Sequence, residues 1–451
     1  MRKKLKKKQL LSKKEFIFNF CSLIIIILIG FYYGGRSLYY YSKQNMTLKQ
    51  EANTLNGLIL NNNSVVNGGE GLYLDLDGYY FKGKVSNNYV KFGNRLFRII
   101  RVNNDGSIKV ITDDLVSTFM WGEDSNYQNS NLKVWLTKTD YQYSGVYYKT
   151  IPEIDKFLVK TKYRENVLEK KKVSKVKETY SDYITTLEIN DYVLANGKNS
   201  YLNIGKVYYL LGFNESKDNL FVDLDGSVQN TDGLDLYGIR AVMTFKKNLE
   251  VKSGDGTKNN PFIIEQGKDI NYVDSYVLVG NEIYRVYQES NGILRMHKYG
   301  YATNDGKEII RRYSNGTSLF DFKKKDNISY YLNTSYLDSL SYKDYLLDSN
   351  FYTGEIGVET DYDYKNIYNS SVSLKVGLLN IFDYVSSNNF SDYFLMNTIS
   401  SIGGMQYSKY ENGLVEEVDV LEMKHFIPVI SVDSSYITSG TGEINNPYTM
   451  R

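Results

Sequence analysis

Apolar and polar positions along the chain fall into three regimes. Residues 16–33 are uncharged and contain Leu23-Ile24-Ile25-Ile26-Ile27-Leu28-Ile29. With Gly34 and Gly35 the segment is long enough, as a helix, to cross a hydrocarbon core of about 30 Å. A cleaved signal peptide is the competing reading. It calls for a shorter apolar core and a small-x-small cleavage site. This run ends instead in Phe31-Tyr32-Tyr33, aromatics suited to the membrane interface. The sequence therefore predicts an uncleaved signal anchor over 16–35. In the second regime, 36–70, Leu48, Leu55 and Ile59 are spaced as a sparse helical stripe. Asn61-Asn62-Asn63-Ser64 and Asn67-Gly68-Gly69 follow with linker chemistry. This predicts a stalk over 36–70.

From residue 71 onward the pattern is mainly that of strands. Residues 90–102 and 108–111 alternate apolar and polar positions around the turn Asn103-Asn104-Asp105-Gly106. Leu132, Trp135 and Leu136 have the i, i+3, i+4 spacing of a short amphipathic helix. Gly238-Ile239-Arg240-Ala241-Val242-Met243-Thr244-Phe245 reads as a closing strand.

The same series occurs again further on. Tyr89-Val90-Lys91-Phe92-Gly93-Asn94-Arg95-Leu96-Phe97-Arg98 aligns without a gap on Tyr276-Val277-Leu278-Val279-Gly280-Asn281-Glu282-Ile283-Tyr284-Arg285. Leu132, Trp135 and Leu136 match Ile328, Tyr331 and Leu332, with Asn327 as the expected N-cap. Asp191-Tyr192-Val193 matches Asp383-Tyr384-Val385. The closing strand has its match in Phe426-Ile427-Pro428-Val429-Ile430-Ser431-Val432. The ending Ser253-Gly254-Asp255-Gly256 through Asn259-Asn260-Pro261-Phe262 recurs as Ser439-Gly440-Thr441-Gly442 through Asn445-Asn446-Pro447-Tyr448. A spacing this long makes each unit a whole domain rather than a solenoid repeat. The expectation is an α+β chain with two tandem duplicated domains, 71–266 and a divergent copy at 271–451. Strands at both ends of each unit would meet in one sheet.

Charge sharpens the topology. Eight Lys/Arg lie in residues 1–15, a basic tail on the cytoplasmic side that directs the C-terminal bulk outside the cell membrane. Residues 16–451 hold 46 Lys/Arg against 51 Asp/Glu, a net of −5, so a nucleic-acid partner has no electrostatic footprint there. The single Cys, Cys21, lies inside the span, leaving the exported part without a disulfide or a thiol nucleophile.

Candidate chemistry is sparse. Asp75-Leu76-Asp77-Gly78 and Asp223-Leu224-Asp225-Gly226 have a faint calcium-loop look but lack the full ligand frame, and Asp-Gly is common hairpin-turn chemistry. His297 and His425 fall at unmatched positions, and no G-x-S-x-G, H-E-x-x-H or P-loop pattern accompanies them. No cofactor, metal or catalytic residue is assigned. The run Lys170-Lys171-Lys172 with Lys175 and Lys177 reads as a solvated face or as a contact to anionic wall polymer. The 44 tyrosines read as strand residues or as an adaptable binding surface. Arg240 in the closing strand and Trp121 in a Met-Trp-Gly turn are the candidate ligand contacts, set against a buried carboxylate partner for Arg240 and a core position for Trp121. Trp135, on its helical stripe, is assigned to the core.

Several stretches resemble a group of uncharacterised membrane-anchored surface proteins of low-G+C bacteria. They are Gly71-Leu72-Tyr73, Tyr80-Phe81-Lys82-Gly83-Lys84, Asn88-Tyr89-Val90, Phe97-Arg98-Ile99-Ile100, Met120-Trp121-Gly122, Gly238-Ile239-Arg240-Ala241-Val242 and the S-G-x-G…N-P ending. The closing G-x-R-x-V strand is also similar to the last strand of the C-type-lectin-like fold shared with formylglycine-generating enzymes. That resemblance implies a lectin-like fold. It does not carry over the cysteine-dependent activity, since the exported part has no cysteine. His425 and Ile427 stand where the first unit has Gly238 and Arg240, which marks the second unit as a structural copy.

Together these features predict a non-enzymatic binding or adhesion protein that takes an extracellular glycan or protein ligand through its first unit. An exported hydrolase acting on envelope glycan or peptide, and a structural part of an envelope or pilus assembly, are the competing classes. Against a pilin specifically, the span lacks a Glu near its start.

Overall fold

The computed structural model describes Ile24 and residues 53–451, apart from 171, 266–270, 318, 357–362, 384–389, 398–404 and 410–414. The basic tail and, Ile24 excepted, the expected span at 16–35 lie outside the described residues. So does the stalk as far as residue 52. Among the described residues no helix is long and apolar enough to cross a membrane. The molecule is β-rich, with few and short helices.

The stalk reading needs correction over its second part. Leu55–Asn62 is a helix, capped by Thr54 Oγ1, which accepts from Gly57 N at 3.3 Å. Leu55, Asn56 and Ile59 are fully buried. Leu55 N donates to Leu249 O at 2.9 Å, and Asn248 N donates to Asn56 Oδ1 at 3.2 Å. Leu55 and Ile59, read as part of a spacer stripe, therefore face the core of the first half (53–265), while Leu48 lies outside the described residues. Burying two large aliphatic side chains there contributes roughly 3–6 kcal/mol.

In the first half, Tyr89–Phe92, Arg95–Asn103 and Ile108–Thr112 form an antiparallel meander, and Val242–Phe245 adds antiparallel to Ile108–Thr112. Phe262–Ile264 closes the other edge, parallel to Tyr89–Phe92. In the second half (271–451), Tyr276–Val279, Glu282–Ser290, Ile293–Lys298 and Pro428–Asp433 follow the same order. Tyr448–Met450 lies parallel to Tyr276–Val279. Registers correspond: Phe262 faces Val90, and Tyr448 faces Val277. Each meander has a bulge in its second strand, between Ile99 and Arg101 and between Val286 and Gln288. The order Val228–Thr231, Asn219–Val222, Tyr208–Asn214, Tyr237–Ile239 in the first half has a counterpart in Val415–Asp419, Met405–Lys409, Tyr393–Phe394, His425–Phe426.

Local chemistry explains the recurring ending. The chain must double back so tightly that a Cβ on Gly254 would lie 1.9 Å from Pro261 O, and one on Gly440 2.2 Å from Pro447 O. Both glycines have φ above +100°, where L side chains are strained. The return sets Phe262 and Tyr448 on the parallel edge. The short helix Asn131–Leu136 forms as expected, capped by Ser130, with Leu132, Trp135 and Leu136 buried. Its counterpart starts at Ile328, and Asn327 Oδ1 caps it through Ser329 N at 3.0 Å. The closing strand of the first half is interrupted. Tyr237–Ile239 and Val242–Phe245 belong to different sheets, and Arg240 and Ala241 cross between them.

One apolar core runs through both halves. Phe119 packs on Phe382 with ring centroids 4.2 Å apart, and Trp135 Nε1 donates to Phe382 O at 2.8 Å. Nearby, Arg95 is ion-paired with the buried Asp274, which Arg285 also reaches at 3.2 Å.

Candidate functional site

Part of the tyrosine content is structural. Nine tyrosines, Tyr209 and Tyr284 among them, rank among the largest fully buried side chains. Trp121 is also fully buried, against Tyr127 and Tyr209, which corrects its reading as an exposed contact. A Met-Trp-Gly turn without periodic neighbours hid this burial, because its cover comes from a short helical turn at Tyr127–Asn129 and from the remote strand Tyr208–Asn214. Both Asp-Leu-Asp-Gly stretches are hairpin turns, and among the described residues no group of acids or histidines is placed to hold a metal. His297 is buried with Nδ1 2.9 Å from Lys298 O, and His425 stacks on Tyr301. Of the basic run, Lys170 and Lys172 flank the end of the hairpin Thr161–Glu169/Lys172–Asp182, Lys175 and Lys177 lie along its second strand, and Lys171 is outside the described residues.

Arg240 is fully buried but pairs no carboxylate among the described residues, a second correction. Its Nε and Nη2 donate to Thr112 O at 3.0 and 2.8 Å, and Nη1 donates to Leu202 O at 2.9 Å. The guanidinium lies 5.3 Å from the Tyr208 ring centroid. Burial pushes the Tyr208 hydroxyl up to about 12, with Arg240 opposing. Carbonyls satisfy a buried guanidinium because it is a pure donor with five N–H groups. Arg240 thus ties the turn after Ile108–Thr112 to the segment before Tyr208–Asn214.

Those two segments are the walls of a cleft of about 390 Å³, lined among others by Lys84, Tyr89, Arg98, Asp113, Tyr201 and Lys258. Its floor is Arg98, 5% exposed, on the strand Arg95–Asn103. The Arg98 guanidinium lies 3.9 Å from the Tyr89 ring centroid and 4.8 Å from that of Tyr201. Nε donates to Asn88 Oδ1 at 2.8 Å, Nη1 to Tyr89 Oη at 2.8 Å and Nη2 to Val85 O at 2.7 Å. Burial lowers the Arg98 pKa, while Tyr89 and Asp113 oppose the shift. At the rim Lys206 Nζ is 2.8 Å from both Asp114 oxygens, and Lys258 Nζ is 3.4 Å from Asp113. Tyr201 Oη is buried without a hydrogen-bond partner among the described residues, and burial pushes that hydroxyl up.

The lining thus carries Lys84, Arg98, Lys206 and Lys258 against two adjacent carboxylates, each held by a lysine. This is an arrangement for attracting an anion. It offers no opposed pair of carboxyl groups for acid–base work. Larger clefts exist: about 810 Å³ around Phe322 and Asn366, and about 570 Å³ among Asp218, Asp232, Asp235 and Glu417. Among the described residues, neither is lined by a buried charged side chain.

Sequence reasoning missed Arg98, Lys206 and Lys258. The available signal was a charged residue in the apolar run Leu96-Phe97-Arg98-Ile99-Ile100. Nothing local indicates that three loops converge on it.

The corresponding place in the second half is filled. Tyr299 holds the register position of Asp113: Asp113 N donates to Leu96 O and Tyr299 N to Ile283 O, at 2.9 and 2.8 Å. Tyr299 packs on Tyr276 and on Phe390, with centroids 5.0 and 5.5 Å apart. Arg285, matching Arg98, turns to Asp274.

No family model, curated protein or solved structure matches this chain.

Proposed function

We propose that the chain is a single-pass, membrane-anchored bacterial surface protein with its N-terminus in the cytoplasm. In this reading its exported part is a tandem duplication of one α+β unit, related to the surface proteins it resembles. The first copy binds an extracellular ligand without catalysis, and the second is its packing partner. The observation that carries the reading is the contrast between a cation-lined cleft over Arg98 in the first half and aromatic filling at the matched place in the second. Matching strand order, registers and bulges support the duplication; the uncharged run 16–33 behind eight cations supports the anchor.

The test is binding of the full chain, reconstituted in nanodiscs, to a glycan array and to envelope extract. Lys258→Trp, at a largely exposed position on the rim, serves as a steric block. Binding that is lost in Lys258→Trp supports the reading. Binding untouched by the block, or turnover of an envelope polymer, overturns it. Protease treatment of intact cells that spares residues 53–451 would overturn the proposed orientation.

A further inference from the structure

Resting on that reading, we infer that the cleft over Arg98 recognises an acidic polyol: one phosphate or carboxylate group with neighbouring hydroxyls, as carried by an anionic envelope polymer.

The charge balance is local and opposite to its surroundings. Four cations and two acids line the cleft, whereas residues 16–451 as a whole are net negative. A positive recess in an acidic surface concentrates the field on an anion entering it. Arg98 is rigid. Asn88, Tyr89 and Val85 together take N–H groups on all three of its nitrogens, and Tyr89 and Tyr201 flank its plane. Asp113 stands 3.9 Å from Nη1, beyond hydrogen-bond reach. The Arg98 charge is therefore fixed at the floor, with Asp113 as a long ion-pair partner and no carboxylate in hydrogen-bond contact among the described residues. Lys258 is an exposed second donor, 65% exposed in its side chain and 5.9 Å from the Tyr89 ring centroid. Its pair with Asp113 is exposed enough to be worth little, so an incoming anion displaces it at small cost.

Size and polarity narrow the ligand. About 390 Å³ lies in the range of small-molecule sites and accepts one or two sugar- or polyol-sized groups. Ser200 and Asn203 line the wall, and the Tyr201 hydroxyl stands beside it without a hydrogen-bond partner among the described residues. Ser200 Oγ already donates to Gly197 O and Asn203 Nδ2 to Lys198 O and Asp225 O, so the Tyr201 hydroxyl is the group left to meet a hydroxyl next to the anionic centre. Arg240 beneath ties the two walls at a fixed spacing and is a positioning residue, out of reach of a ligand because it is fully buried.

The experiment measures Kd of the full chain in uncharged nanodiscs for three probes: a poly(glycerol phosphate) oligomer, polygalacturonate and neutral dextran. A second series replaces the uncharged lipid with phosphatidylglycerol. The variants are Lys84→Ala/Lys258→Ala and Lys258→Trp, checked for unchanged circular dichroism. Binding to one or both acidic polymers is expected. The double variant should weaken it by at least about ten-fold, with a steep loss as salt shortens the screening length. Dextran should stay unbound. Preference for phosphate over carboxylate, or the reverse, names the source. If a neutral glycan binds and Lys258→Trp abolishes it, the anion inference falls while the binding reading stands. If no probe binds, if the double variant binds normally, or if only the lipid surface binds, the inference is overturned.

Discussion

Two places in this molecule share one backbone plan and use it differently. Around Arg98, Asp113 opens the turn after the third meander strand and Lys258 leans over Tyr89. Around Arg285, the same turn carries Tyr299, and the position matching Lys258 is Ile444. Beneath the first, Arg240 ties two walls through carbonyls. Beneath the second, Ile427 is simply buried. A few substitutions, charged to aromatic or aliphatic, separate a cleft from a packed surface while the strand registers stay put. The lesson is that the sheet supplies geometry, and the loops at its end decide whether that geometry is filled or open.

Exchanging residues between the two places tests this contrast. Arg240→Ile should have the largest effect. It removes three charge-assisted hydrogen bonds, two to Thr112 O and one to Leu202 O, which keeps only the Tyr208 hydroxyl, for a loss of about 4 kcal/mol at roughly 1.5–3 kcal/mol per bond to a charged group. Urea unfolding of the full chain measures it, and a loss below about 1 kcal/mol would mean that the walls do not depend on Arg240.

Lys109 ranks next. It is ion-paired with Glu188 and with Asp191, the latter at 2.5 Å, all with little exposure. By register its counterpart is Arg295, which burial disfavours as a cation and Asp383 favours. Lys109→Met should cost about 3 kcal/mol by stranding two carboxylates, whereas Lys109→Arg should cost under about 1 kcal/mol. Equal losses in the two variants would show that the positions are not equivalent.

Tyr299→Asp, which imports the first-half residue, should cost about 2 kcal/mol through lost ring packing on Tyr276 and Phe390. A neutral outcome in the same unfolding assay would mean that the aromatic filling is incidental.

The smallest effect is on pH dependence. Burial pushes the Asp383 carboxyl up, with Arg295 opposing. The folded state thus holds that proton more tightly than the unfolded chain. This contribution to stability is present below the ordinary aspartate range and is lost as pH rises through the raised folded pKa. Asp383→Asn should flatten that decline in unfolding curves taken from acid to neutral pH. An unchanged slope would place the decline elsewhere.

Much of the fold was legible because its signals are local. Asn103-Asn104-Asp105-Gly106 marks a turn, Leu132-Trp135-Leu136 a helical stripe, and the paired Gly-x-Gly endings a forced reversal. The corresponding registers agree with the aligned residues at Val90 and Val277. What escaped the sequence depends on distant segments. Leu55 and Ile59 look like a spacer until residues 248–251 come to lie beside them. Trp121 looks free until Tyr209, remote in sequence, closes over it together with the nearby Tyr127. Arg240 was singled out for its type, but its partners are main-chain carbonyls, which carry no sequence mark. The cleft was invisible for the same reason, since Arg98, Lys206 and Lys258 are remote in sequence.

The parallel pairing of Tyr448–Met450 with Tyr276–Val279 also has a mechanical meaning. The chain enters the second half on one of these strands and reaches residue 450 on the other, side by side and pointing the same way. Tension applied between residues 275 and 450 pulls the two strands along their length in opposite directions. Their slanted ladder bonds are then loaded together in shear, not opened one after another as in a zipper. Optical-tweezer handles at those two positions should meet a single abrupt rupture, whereas handles across the Glu282–Ser290/Ile293–Lys298 hairpin should peel it at lower force.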